Sequence, residues 1–140
     1  TAGGDFAAGC ESAIAEWKQN LAVLHKCILV VIMERLRLAP GAQLLDWGTG
    51  CGHKLAWASD YYGVEGLGLD LIGDSIAWAQ DHSPGQYCEV DGRFLSWLPD
   101  DHFDAVISYA ALLHLLQLEQ CEVVVELVRK VRVGGRLWFG

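Results

Sequence analysis

In the stretch LLDWGTGCGHKL, residues 44–55, an acid closes an apolar run and glycines follow at alternate positions, Gly48, Gly50 and Gly52. Glycine has no Cβ, so such a turn reverses tightly and lets a ligand approach the backbone, while a helix starting after it offers unpaired amide donors. A dinucleotide turn, GxGxxG, needs glycine at position 53, where this chain has His53. Asp46, two residues before the first glycine, repels a pyrophosphate but suits a ligand carrying positive charge. The chemistry indicated is the holding of a cationic nucleoside. Later acids close two more apolar runs, Asp70 and Asp91; the plain alternatives are a helix cap for Asp70 and a turn residue for Asp91. Trp47 reads equally as core packing or as a pocket wall. His114, with Tyr109 near it in sequence, is the candidate to face a substrate, against a reading of His114 as a core histidine. Asp104 reads as structural and His53 as solvent-facing. No general base stands out, and His25, Cys27, Cys51 and His53 lack the spacing of a metal site, so no metal is expected.

These residues need a frame. Apolar residues from Ile14 to Ile32 recur at spacings of three and four, which predicts a helix, interrupted near Asn20, that ends before Pro40. Strands are predicted over 43–47, 64–70, 86–90, 103–109 and from Arg136 onward. Helices are predicted over 53–62, closed by Gly63, over 74–82, and over 118–132, ended by Gly134 and Gly135. The last helix should bury Cys121, Val124, Val125, Val128 and Val131 and wet Glu122, Glu126 and Lys130. Strands alternating with helices imply βαβ units and a parallel sheet with helices on both faces, binding ligands at the strands' carboxyl ends.

The order of motifs resembles class I S-adenosylmethionine-dependent methyltransferases, in the small-molecule and ubiquinone-biosynthesis-like branch. Leu44-Leu45-Asp46-Trp47-Gly48-Thr49-Gly50-Cys51-Gly52 is similar to that family's first motif, an apolar pair followed by acid-x-Gly-x-Gly-x-Gly. Gly66-Leu67-Gly68-Leu69-Asp70-Leu71 resembles its second strand, and Asp91-Gly92 its acid and small residue at the adenine. Phe103-Asp104-Ala105-Val106-Ile107-Ser108, Ala110-Ala111-Leu112-Leu113-His114-Leu115 and Val131-Arg132-Val133-Gly134-Gly135-Arg136-Leu137 resemble the fourth strand, its loop and the lead into the fifth. The resemblance implies a Rossmann-like sheet of order 3-2-1-4-5 and S-adenosylmethionine as cofactor. Asp46, Gly48, Thr49, Gly50 and Gly52 would surround its methionine part, Asp70 and Leu71 its ribose, and Asp91 and Gly92 its adenine, with Ser108 also at the cofactor. Tyr109 and His114 would face a small-molecule acceptor, methylated by in-line displacement with S-adenosylhomocysteine as product.

The family continues through two further strands that are missing here. Either the natural protein is longer, or a protein partner covers an open edge at Arg136 to Phe139 with its aromatics exposed. A second reading is a non-catalytic methyltransferase-like module serving as a structural subunit of a larger assembly.

Composition narrows the field. The 140 residues suit one domain, 1–39 a helical segment and 40–140 the cofactor core, and 52% hydrophobic residues suffice for a core on both sheet faces. Net charge −8 argues against nucleic acid, whose binders rely on cations, and no apolar run is long enough for a membrane span. Five scattered cysteines, Cys10, Cys27, Cys51, Cys88 and Cys121, without a CxxC pair, read as mostly buried free thiols in a reducing intracellular compartment.

Overall fold

The protein is described by a computed structural model that covers Cys10 and residues 23–140. The predicted helical stretch 14–22, with its interruption near Asn20, lies outside the described residues. In chain order the elements are α1 (Val23–Leu36), β1 (Gln43–Trp47), α2 (His53–Tyr62), β2 (Glu65–Asp70), α3 (Gly73–His82), β3 (Gln86–Glu89), β4 (Phe103–Ser108), a short 3-10 turn (Leu112–His114), α4 (Gln117–Lys130) and β5 (Val131–Phe139). The strands form one parallel sheet of order β3-β2-β1-β4-β5.

Breakers set the boundaries where sequence and structure agree. Helix α2 starts after Gly52 and ends at Gly63, which takes the left-handed conformation that closes a helix (φ +67°) and donates its amide to Ser59 O. Side chains in β1 alternate between faces. Leu44 packs with Leu29, Met33, Leu55 and Ile76 of α1 to α3, whereas Leu45 packs with Val123 and Leu127 of α4 and with Leu95 and Leu98 of the loop after β3. Among the described residues, the five strands thus carry three helices on one face and a helix plus a loop on the other. Asp104, at the opening of β4, accepts the Gln43 amide at 2.7 Å and pairs with Arg132, so it ties three strands together at the end away from the glycine turn.

The C-terminal part departs from expectation. Strand β5 follows α4 directly at Val131, and the Gly134-Gly135 pair sits within the strand, at a register shift opposite β4, instead of ending the helix. A Cβ on Gly135 would stand 2.3 Å from Val131 Cγ1 and 2.8 Å from Asp104 O, so glycine is required by close packing there. Helix α4 buries Val123, Leu127 and Lys130, whereas Cys121, Val125 and Val128 are exposed. Lys130 is buried because Nζ donates to Leu98 O (3.0 Å) and Asp100 Oδ1 (2.7 Å) while its stem lies along the core. Among the described residues β5 is an outermost strand, and Trp138 and Phe139 are half-buried: Trp138 packs with the α1 face and stacks on Tyr109, with ring centroids 5.9 Å apart. Arg136 reaches from β5 to the carbonyls of Arg35 and Leu36 (3.2 and 3.1 Å), satisfying the last turn of α1.

The cysteines also differ from the reading. Cys10 and Cys51 form a disulfide across a sequence separation of 41, and Cys27 and Cys121 are exposed thiols, not buried ones. The premise for a reducing compartment is thereby removed. Among the described residues no helix is long and apolar enough to cross a membrane. Cross-linking the N-terminal segment to the glycine turn limits the unfolded chain, an effect of roughly 2–4 kcal/mol. Reduction, or Cys10→Ser, should therefore lower the thermal midpoint by several degrees. Thiol titration of the unfolded, unreduced protein should find three reactive thiols, and five would show that the bond does not form.

Candidate functional site

A cavity of about 380 Å³ opens where β1, β2 and β3 end, within the size range of small-ligand sites. A larger one, about 530 Å³, lies at the opposite end among the first residues of the strands, Gln43, Glu65 and Gln86, remote from the glycine turn. In a parallel sheet the carboxyl ends carry the ligand site.

The turn shapes this cavity more than it supplies donors. The amides of Gly48 and Thr49 both donate to Leu69 O (2.8 and 2.9 Å), that of Gly52 to Thr49 O (3.1 Å) and that of Gly50 to Asp70 Oδ2 (2.9 Å). Gly48 has positive φ, and a Cβ there would lie 2.3 Å from Ala111 Cβ, so the loop after β4 rests directly on it. Gly50, also at positive φ, faces open space. Beside it the Asp70 carboxylate accepts Gly50 N and, through Oδ1, Ile72 N (3.0 Å). A carboxylate has about four acceptor sites. Asp70 is thus held rigidly at the cavity wall with acceptor capacity left for hydroxyls.

The far wall is built by Trp47, whose indole Nε1 donates to Gly92 O at 2.9 Å and whose ring lies where a Gly92 side chain would go. Trp47 is 8% exposed and lines the cavity, so both readings of it hold. Next to Gly92, Arg93 clasps the rim. Its Nε and Nη2 donate to Asp91 (3.0 and 2.7 Å) and its Nη1 to Glu119 Oε2 (2.8 Å) at the start of α4. Hydrogen bonds from Arg93 hold the Asp91 and Glu119 carboxyls below their ordinary range.

Of the residues read from sequence, Gly48, Asp70, Leu71, Asp91, Gly92 and His114 line the cavity. His114 is exposed on the rim, not a core histidine. Asp46, Thr49 and Ser108 are fully buried and do not line it. Strand alternation explains the first: Trp47 takes the cavity face of β1, so Asp46 turns toward α2. There Lys54 Nζ donates to Asp46 Oδ1 (3.1 Å) and to Gly48 O (3.3 Å). Burial pushes the Asp46 carboxyl up, opposed by Lys54 and by the nearby Thr49 hydroxyl. Asp46, read from sequence as a counter-charge for a ligand, has an internal partner in this structure. Gly52 packs on the Tyr87 ring, and Tyr109 stacks on Trp138, away from the cavity lining; His53 is half-buried. Lys54, Arg93 and Glu119 escaped sequence reasoning, because charged residues without a motif read as surface.

A family model described as "Methyltransferase domain" matches residues 45–139. The chain belongs to the methyltransferase-domain family. S-adenosylmethionine is the cofactor of this class of domain. The methyltransferase domain is 33% identical over 87 residues, 59% of the chain, to phosphoethanolamine N-methyltransferase 1 of Zea mays, and the match spans 17% of that relative. Its fold matches a chain in the complex of the Haloferax volcanii Trm112 methyltransferase activator, with TM-score 0.77 and 22% identity over 96% of this chain and 58% of the other. It also matches phosphoethanolamine N-methyltransferase 2 of Haemonchus contortus in complex with phosphomonomethylethanolamine and S-adenosylhomocysteine. That match has TM-score 0.69 and 22% identity over 78% of this chain and 26% of the other. At such identity the last two matches establish the fold.

The clasp has a pH signature. Because Asp91 and Glu119 are shifted down in the folded protein, its contribution is complete above the ordinary carboxylate range and is lost as pH falls through the lowered folded values. The difference in thermal midpoint between wild type and Arg93→Met should be constant from pH 7 to about 5 and shrink below about pH 4. A difference that persists unchanged to about pH 2 would mean that Arg93 acts by packing alone.

Proposed function

We propose that this methyltransferase domain binds S-adenosylmethionine in the cavity at the ends of β1, β2 and β3 and directs its methyl group to a small-molecule acceptor entering past His114. The observation that carries the reading is the braced Asp70 carboxylate beside the open space at Gly50. When bound, the cofactor supplies a methyl group already activated on a sulfonium. Asp70 takes the ribose hydroxyls through its free acceptor sites, with Leu71 covering them. Trp47 and Gly92 form the wall at the adenine end, where an adenine amino group shares Asp91 with Arg93. Gly48, Gly50 and Gly52 give the turn the shape that admits the methionine part, while Asp46, Thr49 and Ser108 support it from below.

His114, exposed at the rim, is the residue of this chain best placed to meet an acceptor or hold a proton on it; Tyr109 is set back against Trp138. The phosphoethanolamine N-methyltransferase relatives favour a small, polar, nitrogen-bearing acceptor. Placement in the ubiquinone-biosynthesis-like branch rests on the sequence of β4, Phe103 to Ser108, and of the loop after it, Ala110 to Leu115. A protein partner along β5 belongs to the same reading, supported by the edge position of that strand and by the activator complex among the structural matches. The domain boundary proposed is a helical segment over 1–39 and a cofactor core over 40–140.

Calorimetry with S-adenosylmethionine should show binding to wild type, with affinity lowered roughly 10- to 100-fold in Asp70→Ala, the scale of hydrogen bonds to a charged group. A wild-type protein that gives neither heat nor thermal stabilisation would sink the proposal. Binding without turnover on amine or phosphoamine acceptors would favour the structural-subunit reading.

A further inference from the structure

Lys54 is the second residue of α2, where the positive end of the helix dipole disfavours a cation. Its side chain is 6% exposed, and a buried ammonium is tolerated only with a partner. That partner is Asp46, whose side chain is 0% exposed. The ammonium also bonds Gly48 O, so it touches both the acid and the first glycine of the cofactor turn from behind. A motif that reads in sequence as acidic is therefore neutral in the folded protein. Asp70 is the acid of this neighbourhood that has no ion pair within the turn and lines the cavity.

We infer that Lys54 is the built-in counter-ion of the cofactor turn, and that by cancelling Asp46 it sets how strongly the site distinguishes the sulfonium cofactor from its neutral thioether product. This rests on the cofactor-binding reading above. The two ligands differ by one methyl group and one positive charge, so an uncancelled carboxylate near the turn would favour the cofactor over the product. Asp46 is close enough for its charge to be felt there: Trp47 and Gly48, which follow it in sequence, line the cavity, and Lys54 bridges the Asp46 carboxylate to the Gly48 carbonyl. With Lys54 in place that preference is muted, and product and cofactor compete on nearly equal terms. Lys54 is a positioning residue in this scheme, acting through Asp46 and not by contact with the ligand.

The test compares affinities for S-adenosylmethionine and S-adenosylhomocysteine in wild type, Lys54→Met, Asp46→Asn and the double variant. Lys54→Met should shift the ratio toward the cofactor by the order of tenfold, about what one unit charge supplies at roughly 10 Å with an effective dielectric near 20. Asp46→Asn, which leaves the ammonium uncancelled, should move the ratio toward the product, and the double variant should return to the wild-type ratio. Lys54→Arg keeps the charge and should keep the ratio. A purely structural role would weaken both ligands equally in every variant, and ratios within twofold of wild type would overturn the inference. If Lys54→Met does not fold, Asp46→Asn against the double variant decides by the same criterion. Wild type binding neither ligand would instead sink the cofactor-binding reading itself.

Discussion

Strand β1 is hydrogen-bonded to β2 on one side and β4 on the other, so its side chains can enter only one helical layer or the other. Asp46 and Trp47 are neighbours in sequence with opposite destinations. Trp47 goes to the α4 face, spans to Gly92 and forms the cavity wall, while Asp46 goes to the α2 face and requires an internal cation. Shifting the register by one residue would bury the indole behind the turn and place the acid in the cavity. The paired ladders on both sides of β1 prevent that.

The frame was legible where a breaker and a period agreed. Strand β1 and helix α2 read to the residue because glycines bound them and the apolar pattern between is unmixed. Helix α4 did not, because it carries two apolar stripes, Val123 with Leu127 and Cys121 with Val125 and Val128, and only the sheet decides which is covered. The pair Gly134-Gly135 signals a helix stop or a strand irregularity with equal force locally; pairing of Val131 with Phe103 selects the second. At the site, sequence located the strand ends holding Asp70 and Asp91, since acids closing apolar runs are local signals. It did not reveal facing: Asp46, Thr49 and Ser108 are buried beneath the turn and do not line the cavity. The ion pair of Lys54 and the clasp of Arg93 join residues 8 and 26 positions apart through the fold, and no spacing rule announces them.

The charges around the cavity are consequently organised in closed groups. Lys54 balances Asp46 behind the turn, and Arg93 is shared by Asp91 and Glu119 on the rim. A chain with net charge −8 thus keeps most of its carboxylates near the site occupied by the protein's own cations. Asp70 is the exception on the cavity wall, engaged by backbone amides alone. Amide bonds fix a carboxylate's direction without cancelling its charge, which suits a group that must stay available to a diol.

Arg136 joins the last strand to the end of α1 over sequence separations of 100 and 101. Contacts of that span are the slowest kind for a chain to find, since closure entropy must be met before they contribute. The corner where α1 meets β5 therefore belongs to the late part of assembly, after β1 has gathered β2 and β4. During synthesis from the N-terminus, the final carbonyls of α1 wait for a residue 100 positions further along the chain.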